Sequence, residues 1–134
     1  MIEYLTNNED EIDIVYKLFN KYSKEVFVMK PTIRERLNKK ELIIYKKDDK
    51  IIACNFHKRK DFTTIYEIVV DKDYRGSGYG KDMIEFLIYK RHNIILKCPV
   101  DNESNKFYEK IKLYVEKKKR QLNLRHINFT NYKK

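Results

Sequence analysis

The chain has only three glycines, and all lie within five residues: Arg75-Gly76-Ser77-Gly78-Tyr79-Gly80. Glycine allows positive φ and lets a ligand approach the main chain without a Cβ in the way. Successive amide N–H groups that lead into a helix N-terminus cradle phosphate oxygens. Arg75 adds a charged, forked donor. Two other phosphate loops fit poorly. A Walker A loop needs a glycine five residues before Gly-Lys and Ser or Thr after the lysine; here position 75 is Arg, and Asp82 follows Lys81. A dinucleotide fingerprint needs G-x-G-x-x-G, whereas the spacing here is G-x-G-x-G. The bland alternative is a glycine turn joining a strand to a helix.

Other reactive residue types are sparse. Cys54 and Cys98 fall in apolar strand segments outside any C-x-x-C pair, and His57, His92 and His126 do not cluster with them. A zinc site needs about four ligands at tighter spacing. Buried, reduced thiols and no metal are expected. The chain lacks the basic start and apolar stretch of a signal peptide, and no apolar run approaches the roughly 20 residues of a membrane span. These features point to a soluble, cytoplasmic protein with no membrane partner.

The formal charge of +10 raises the question of nucleic acid, so its distribution matters. Residues 110–134 hold nine Lys or Arg and one acidic residue, Glu116, which is +8 of the +10. The rest of the chain is nearly balanced. Lysine outnumbers arginine 23 to 7, a bias that an AT-rich genome also produces, and arginine is the better sign of specific recognition.

The elements that must hold the loop follow from periodicity. Ile2 to Leu5 reads as a strand. Asn7 or Asn8 caps a helix whose apolar set is Ile12, Val15, Leu18, Phe19 and Tyr22. Pro31 suits the first turn of a second helix bearing Ile33 and Leu37. Leu42–Tyr45 and Ile51–Phe56 form a hairpin turning at Lys47-Asp48-Asp49-Lys50, and Thr63–Val70 is a further strand. After the loop comes a helix from about Lys81 to Arg91, with Met83, Ile84, Leu87 and Ile88 inward. Ile94–Lys97 is a buried strand, Ser104–Ile111 a helix, and Leu113–Glu116 and Leu122–Phe129 closing strands. The chain of 134 residues, without linker or repeat, reads as one mixed α/β (α+β) domain over 1–134. Thr63–Val70 and Ile94–Lys97 pair in parallel around the helix.

Val70-Asp71-Lys72-Asp73-Tyr74-Arg75-Gly76-Ser77-Gly78-Tyr79-Gly80 resembles the acetyl-CoA signature of the GNAT N-acetyltransferases, a strand ending in Val followed by R-x-x-G-x-G. Downstream, Asp101-Asn102-Glu103-Ser104-Asn105-Lys106-Phe107-Tyr108-Glu109-Lys110 is similar to that family's second motif. The two lie in the family's order, and the core they mark is about 63–113. The resemblance implies a mostly antiparallel sheet with a central, splayed parallel pair and flanking helices. It also implies acetyl-CoA as co-substrate and direct transfer to a primary amine, without an acyl-enzyme.

In that likeness the pantetheine arm pairs with strand backbone at Glu67, Ile68, Val69 and Val70, and Arg75, Gly76, Ser77, Gly78, Tyr79, Gly80 and Lys81 lie under the pyrophosphate. Tyr108 matches the acid that protonates the departing thiolate; the alternative is a packed aromatic. Asn105, three residues earlier, shares its helix face. Glu67 is the sole carboxylate of Thr63–Val70 and is the candidate base, or the anchor of a water relay, against a purely structural role. Asn55 and His57 are candidates for lining the acceptor cleft, with His57 expected as an exposed strand residue. The resemblance also places Asn102 and Asn105 among the cofactor contacts, although the family has its Asn seven residues before the tyrosine, where Asp101 stands here and Asn102 follows. The usual Gly-Phe after Tyr-Glu-Lys is replaced by Lys112-Leu113, so the helix must stop without a glycine. The acceptor is open. A nucleic-acid amine, whether a base or an aminoacyl-tRNA, is one alternative, and a binding module that no longer catalyses is another.

Overall fold

The computed structural model describes residues 1–23, 27–90 and 92–132. In chain order its elements are β1 (Ile2–Tyr4), α1 (Glu9–Tyr22), α2 (Lys30–Asn38), β2 (Leu42–Lys47), β3 (Lys50–Arg59), β4 (Thr63–Val70), α3 (Tyr79–Tyr89), β5 (Ile94–Pro99), α4 (Ser104–Lys110), β6 (Lys117–Lys119) and β7 (Leu122–Ile127). One 3₁₀ turn, Lys72–Tyr74, stands between β4 and α3. The strands form a seven-stranded sheet in the order β1-β2-β3-β4-β5-β7-β6. It is the mixed, mostly antiparallel α/β arrangement expected, and β4 and β5 are its parallel pair, with Thr63–Ile65 opposite Ile94–Leu96. Two compact units divide the chain, one of residues 1–57 and 66–84, the other of 58–65 and 85–134.

In the first unit, Asn8 is the cap of α1: its Oδ1 accepts from the Glu11 N–H at 3.1 Å, and Glu9, Asp10 and Glu11 fill the first turn. An acidic first turn suits the positive end of the helix dipole. The helix buries Ile12, Val15, Leu18 and Phe19 at helical spacing, in a cluster with Ile33 and Leu37 of α2 and Leu42, Ile44, Cys54, Phe56 and Val69 of the sheet. Phe19 and Phe56 meet at 4.7 Å between ring centroids. The β2–β3 hairpin turns on Asp48 and Asp49, with φ of +52° and +62°. Two successive positive φ values match the right-handed twist of the flanking strands.

In the second unit, β5 lies antiparallel to β7 from Ile94↔Ile127 to Pro99↔Leu122. Two sequence expectations change, one in this unit and one at the start of α3 in the first. The closing hairpin strand is Lys117–Lys119, not Leu113–Glu116. Arg120 and Gln121, with φ of +51° and +65°, make a two-residue turn that sets Lys119 against Leu122, so the lysine run becomes the strand. The helix after the glycine loop starts at Tyr79, two residues earlier than expected, and the expected end at Arg91 lies outside the described residues. Met83, Ile84, Leu87 and Ile88 are its buried positions, as their spacing requires.

Candidate active site

The loop region belongs to the first unit. β4 ends at Val70, and the Asp71 N–H donates to the Ile52 carbonyl at 2.8 Å. Asp71 Oδ1 accepts from the Asp73 N–H, which starts the 3₁₀ turn. Arg75 then folds back. Its Nε donates to the Val70 carbonyl at 3.0 Å, and its guanidinium lies 4.9 Å from the centroid of the Tyr22 ring. This closes the loop at its neck and holds Arg75 beside the glycines. Gly76 and Gly78 have φ of +83° and +88°. L-residues with a side chain rarely adopt those values, so the sequence here is dictated by backbone shape. Apart from the glycine and its two chain neighbours, no heavy atom of the described residues lies within 4 Å of where a Cβ would stand at Gly76 or Gly78, so both face open space. Arg75, Gly76, Ser77 and Gly78 are exposed, and Gly80 is buried in the first turn of α3. The early N–H groups of a helix have no intrahelical acceptor and suit an anion.

Tyr79 anchors the far side of the loop. Its hydroxyl accepts from Lys47 Nζ at 2.8 Å, and its ring meets Tyr45 edge-on at 4.8 Å. That hydrogen bond raises the Lys47 pKa, which keeps the ammonium charged. Lys47 and Lys50 also lie over the Tyr74 ring, at 6.0 and 5.4 Å. The β2–β3 hairpin therefore brings two cations to the loop, a contribution invisible in the local motif.

Glu67 is half-buried on β4 between exposed Tyr66 and buried Val69, with Ile68 and Val70 half-buried. Burial first, and then the Glu67 charge, pushes the Cys54 thiol well above its ordinary range. The carboxylate therefore acts on Cys54, a member of the cluster under α1 and α2. Cys54 and Cys98 are both buried thiols, as expected. His57 corrects an expectation. It is 0% exposed, with Nδ1 3.3 Å from Asn55 Oδ1, because β3 is buried at seven consecutive positions from Ile51.

The second motif lies in the second unit, on α4. Asn102 Oδ1 accepts from the Ser104 N–H at 2.8 Å, which starts the helix. The Asn105 amide is committed at both ends. Nδ2 donates to the Pro99 and Asn102 carbonyls at 2.7 and 2.9 Å, and Oδ1 accepts from Asn123 Nδ2 and Arg125 Nη1 at 3.0 and 2.9 Å. The helix stops without glycine because Lys112 takes φ of +67°. The Lys112 N–H bonds the Glu109 carbonyl and the Leu113 N–H bonds the Tyr108 carbonyl, which is the paired closure of a Schellman motif. Tyr108 is half-buried in the last turn. Arg125 of β7, fully buried, lies over its ring at 5.0 Å to the centroid. Neither motif marks Arg125; its signal in the sequence is a polar residue at an inward position of β7.

Residues 38–111, more than half of the chain, match the family model described as Acetyltransferase (GNAT) domain. The chain belongs to the GNAT acetyltransferase family. Its fold is similar to that of Ard1 from Thermoplasma volcanium, at 14% identity and a TM-score of 0.73, with 95% of this chain and 97% of that one covered. It is also similar to the ribosomal-protein-S18-alanine N-acetyltransferase from Escherichia coli (17% identity, TM-score 0.68, 87% and 79% covered). A third likeness is to Rv2747 from Mycobacterium tuberculosis in complex with CoA and NLQ (13% identity, TM-score 0.70, 90% and 75% covered). No curated protein sequence matches the chain. The matched segment contains the loop, Glu67, Asn102, Asn105 and Tyr108, but not Arg125. Among the described residues, no group of three or more His, Cys, Asp or Glu is placed to hold a metal, and no helix is long and apolar enough to cross a membrane.

Proposed function

We propose that this protein transfers the acetyl group of acetyl-CoA directly to a primary amine. The observation that carries the reading is the loop at Arg75–Gly80, with its two positive-φ glycines facing open space ahead of α3 inside a GNAT-matched segment. Backbone N–H groups from Gly76 to Lys81 and the Arg75 guanidinium hold the pyrophosphate, and the backbone of Glu67 to Val70 takes the pantetheine arm. The amine nitrogen attacks the thioester carbonyl, the C–N bond forms and the C–S bond breaks. Glu67, directly or through water, accepts the amine proton, and the Tyr108 hydroxyl donates one to the departing sulfur. Cys54 has no part as a nucleophile, since its buried thiol resists ionisation. Reduced, buried cysteines suit a cytoplasmic setting. Acetyl-CoA turnover against a panel of small amines, peptide N-termini and lysine peptides tests the reading. Tight acetyl-CoA binding with no turnover on any of them would leave a binding module instead.

A second reading, transfer to a nucleic-acid amine, is favoured by one observation. Lys117, Lys118 and Lys119 are all exposed on β6, the edge strand of the sheet. Edge lysines also prevent strand-to-strand association, so their charge has a structural use as well. Turnover on aminoacyl-tRNA or DNA, lost as salt is raised, separates this reading from the first.

A further inference from the structure

We propose that Arg125 is a positioning residue for Tyr108, holding the α4 tyrosine in place and stabilising the negative charge its oxygen takes on when it gives up a proton. The proposal rests on the reading of Tyr108 as the acid.

The geometry ties this guanidinium to the helix that carries Tyr108. Arg125 is fully buried, and a buried arginine is tolerated only when its donors are satisfied. Each of its three nitrogens is committed to α4 or to the turn that ends it. Nε donates to the Leu113 carbonyl at 2.6 Å, Nη1 to Asn105 Oδ1 at 2.9 Å, and Nη2 to Glu109 Oε1 at 3.2 Å. Asn105 and Glu109 flank Tyr108 on the helix, and Leu113 is the residue whose N–H bonds the Tyr108 carbonyl. The clamp therefore grips the helix one turn before the tyrosine, one residue after it, and at the cap closing on it. The planar guanidinium is left facing the Tyr108 ring at 5.0 Å.

A cation over an aromatic face attracts its π electrons, and the attraction is greatest where water is excluded. A phenol that transfers its proton to sulfur leaves negative charge on the ring and its oxygen. The Arg125 field is then stronger in the transition state than in the ground state, which is the condition for raising kcat rather than affinity. Glu109 is 46% exposed, so solvent screens its opposing charge more than that of the buried guanidinium.

A double-mutant cycle tests the proposal. Arg125→Met and Arg125→Lys are each made in the parent and in a Tyr108→Phe background, with kcat, acetyl-CoA affinity and thermal melting measured for all. Arg125→Met is expected to lower kcat about tenfold in the parent, yet by less than about twofold when the hydroxyl is already absent. Arg125→Lys, which keeps a cation and disturbs the fold less, should recover part of the loss in the parent alone. Acetyl-CoA affinity should stay within about threefold throughout. Equal losses in both backgrounds, for whichever of the two variants folds, would make Arg125 a packing residue and overturn the proposal. If Tyr108→Phe alone leaves kcat unchanged with chemistry rate-limiting, the acid reading itself fails, whatever Arg125 does.

Discussion

The loop at Arg75–Gly80 and the α4 cluster around Tyr108 are built on opposite principles. The loop is open, shaped by backbone dihedrals, and Gly76 and Gly78 face space that a Cβ would enter without displacing anything beyond their chain neighbours. The α4 cluster is closed: Asn105 uses both ends of its amide, and Arg125 is 0% exposed with all three nitrogens donating. An open loop waits for a ligand to supply its partners, whereas a closed cluster has its partners already and can only present what it holds. Binding and chemistry are thus expected to separate cleanly on mutation.

The strongest test of that separation is Tyr108→Phe. Loss of a general acid typically costs about 10²–10⁴-fold in rate, so kcat should fall on that scale while acetyl-CoA affinity stays close to the parent value. Steady-state kinetics beside calorimetry reads both. A kcat within about threefold of the parent would return Tyr108 to a packing role.

Gly78→Val is the converse at the loop. At φ of +88° a β-branched residue is strained, and its methyls occupy the open space above the backbone. Acetyl-CoA binding is expected to weaken at least tenfold on calorimetry, while the melting temperature falls by only a few degrees through backbone strain, since nothing beyond the chain neighbours is displaced. Full affinity in a folded variant would remove the loop from the cofactor site.

A third measurement asks whether the second unit also has an open surface. Neutralising Lys117, Lys118, Lys119 and Arg120 should weaken tRNA or DNA binding. It should also flatten the salt dependence by about 0.7–0.9 for each phosphate that the variant no longer engages. If the parent binds neither at moderate salt, the charge is a solvated edge.

The smallest effect concerns the closure of α4. Lys112 holds φ of +67°, which costs an L-residue roughly 1–2 kcal/mol, while glycine there gives back about 0.4–1 kcal/mol through the unfolded chain. Lys112→Gly should therefore stabilise by about 0.5–1 kcal/mol in urea titration, with kcat unchanged. A loss of stability would mean that the lysine side chain itself holds the turn.

The same contrast explains what is legible in the sequence. The loop can be read because Gly76 and Gly78 are needed for local reasons, and local reasons sit in consecutive residues. The β4–α3–β5 unit is legible from β-branched and helical spacing, and its parallel pairing follows from the crossover. The Arg125 clamp is not. It joins Arg125 to Asn105, 20 residues away, and it inverts the usual polarity of a strand, since Asn123 and Arg125 face inward while Leu122 is exposed. His57 misleads for a related reason: β3 is covered on both faces, so alternation carries no information there. Lys117–Lys119 falls between the two expected closing strands, and only the Arg120–Gln121 turn sets it in register with β7. Tyr79 is legible only as part of the loop, and the distant β2–β3 hairpin shows what its side chain holds.

The six described non-glycine residues at positive φ, namely Lys40, Asp48, Asp49, Lys112, Arg120 and Gln121, bear on how this protein can change. All its glycines sit at the loop, and these turns manage without any. Each is a place where one substitution can firm the fold without touching the reacting groups. A lineage carrying that reserve can absorb damage elsewhere, including changes that reshape the acceptor surface at some loss of stability. The turns thereby give the enzyme room to evolve toward new acceptors.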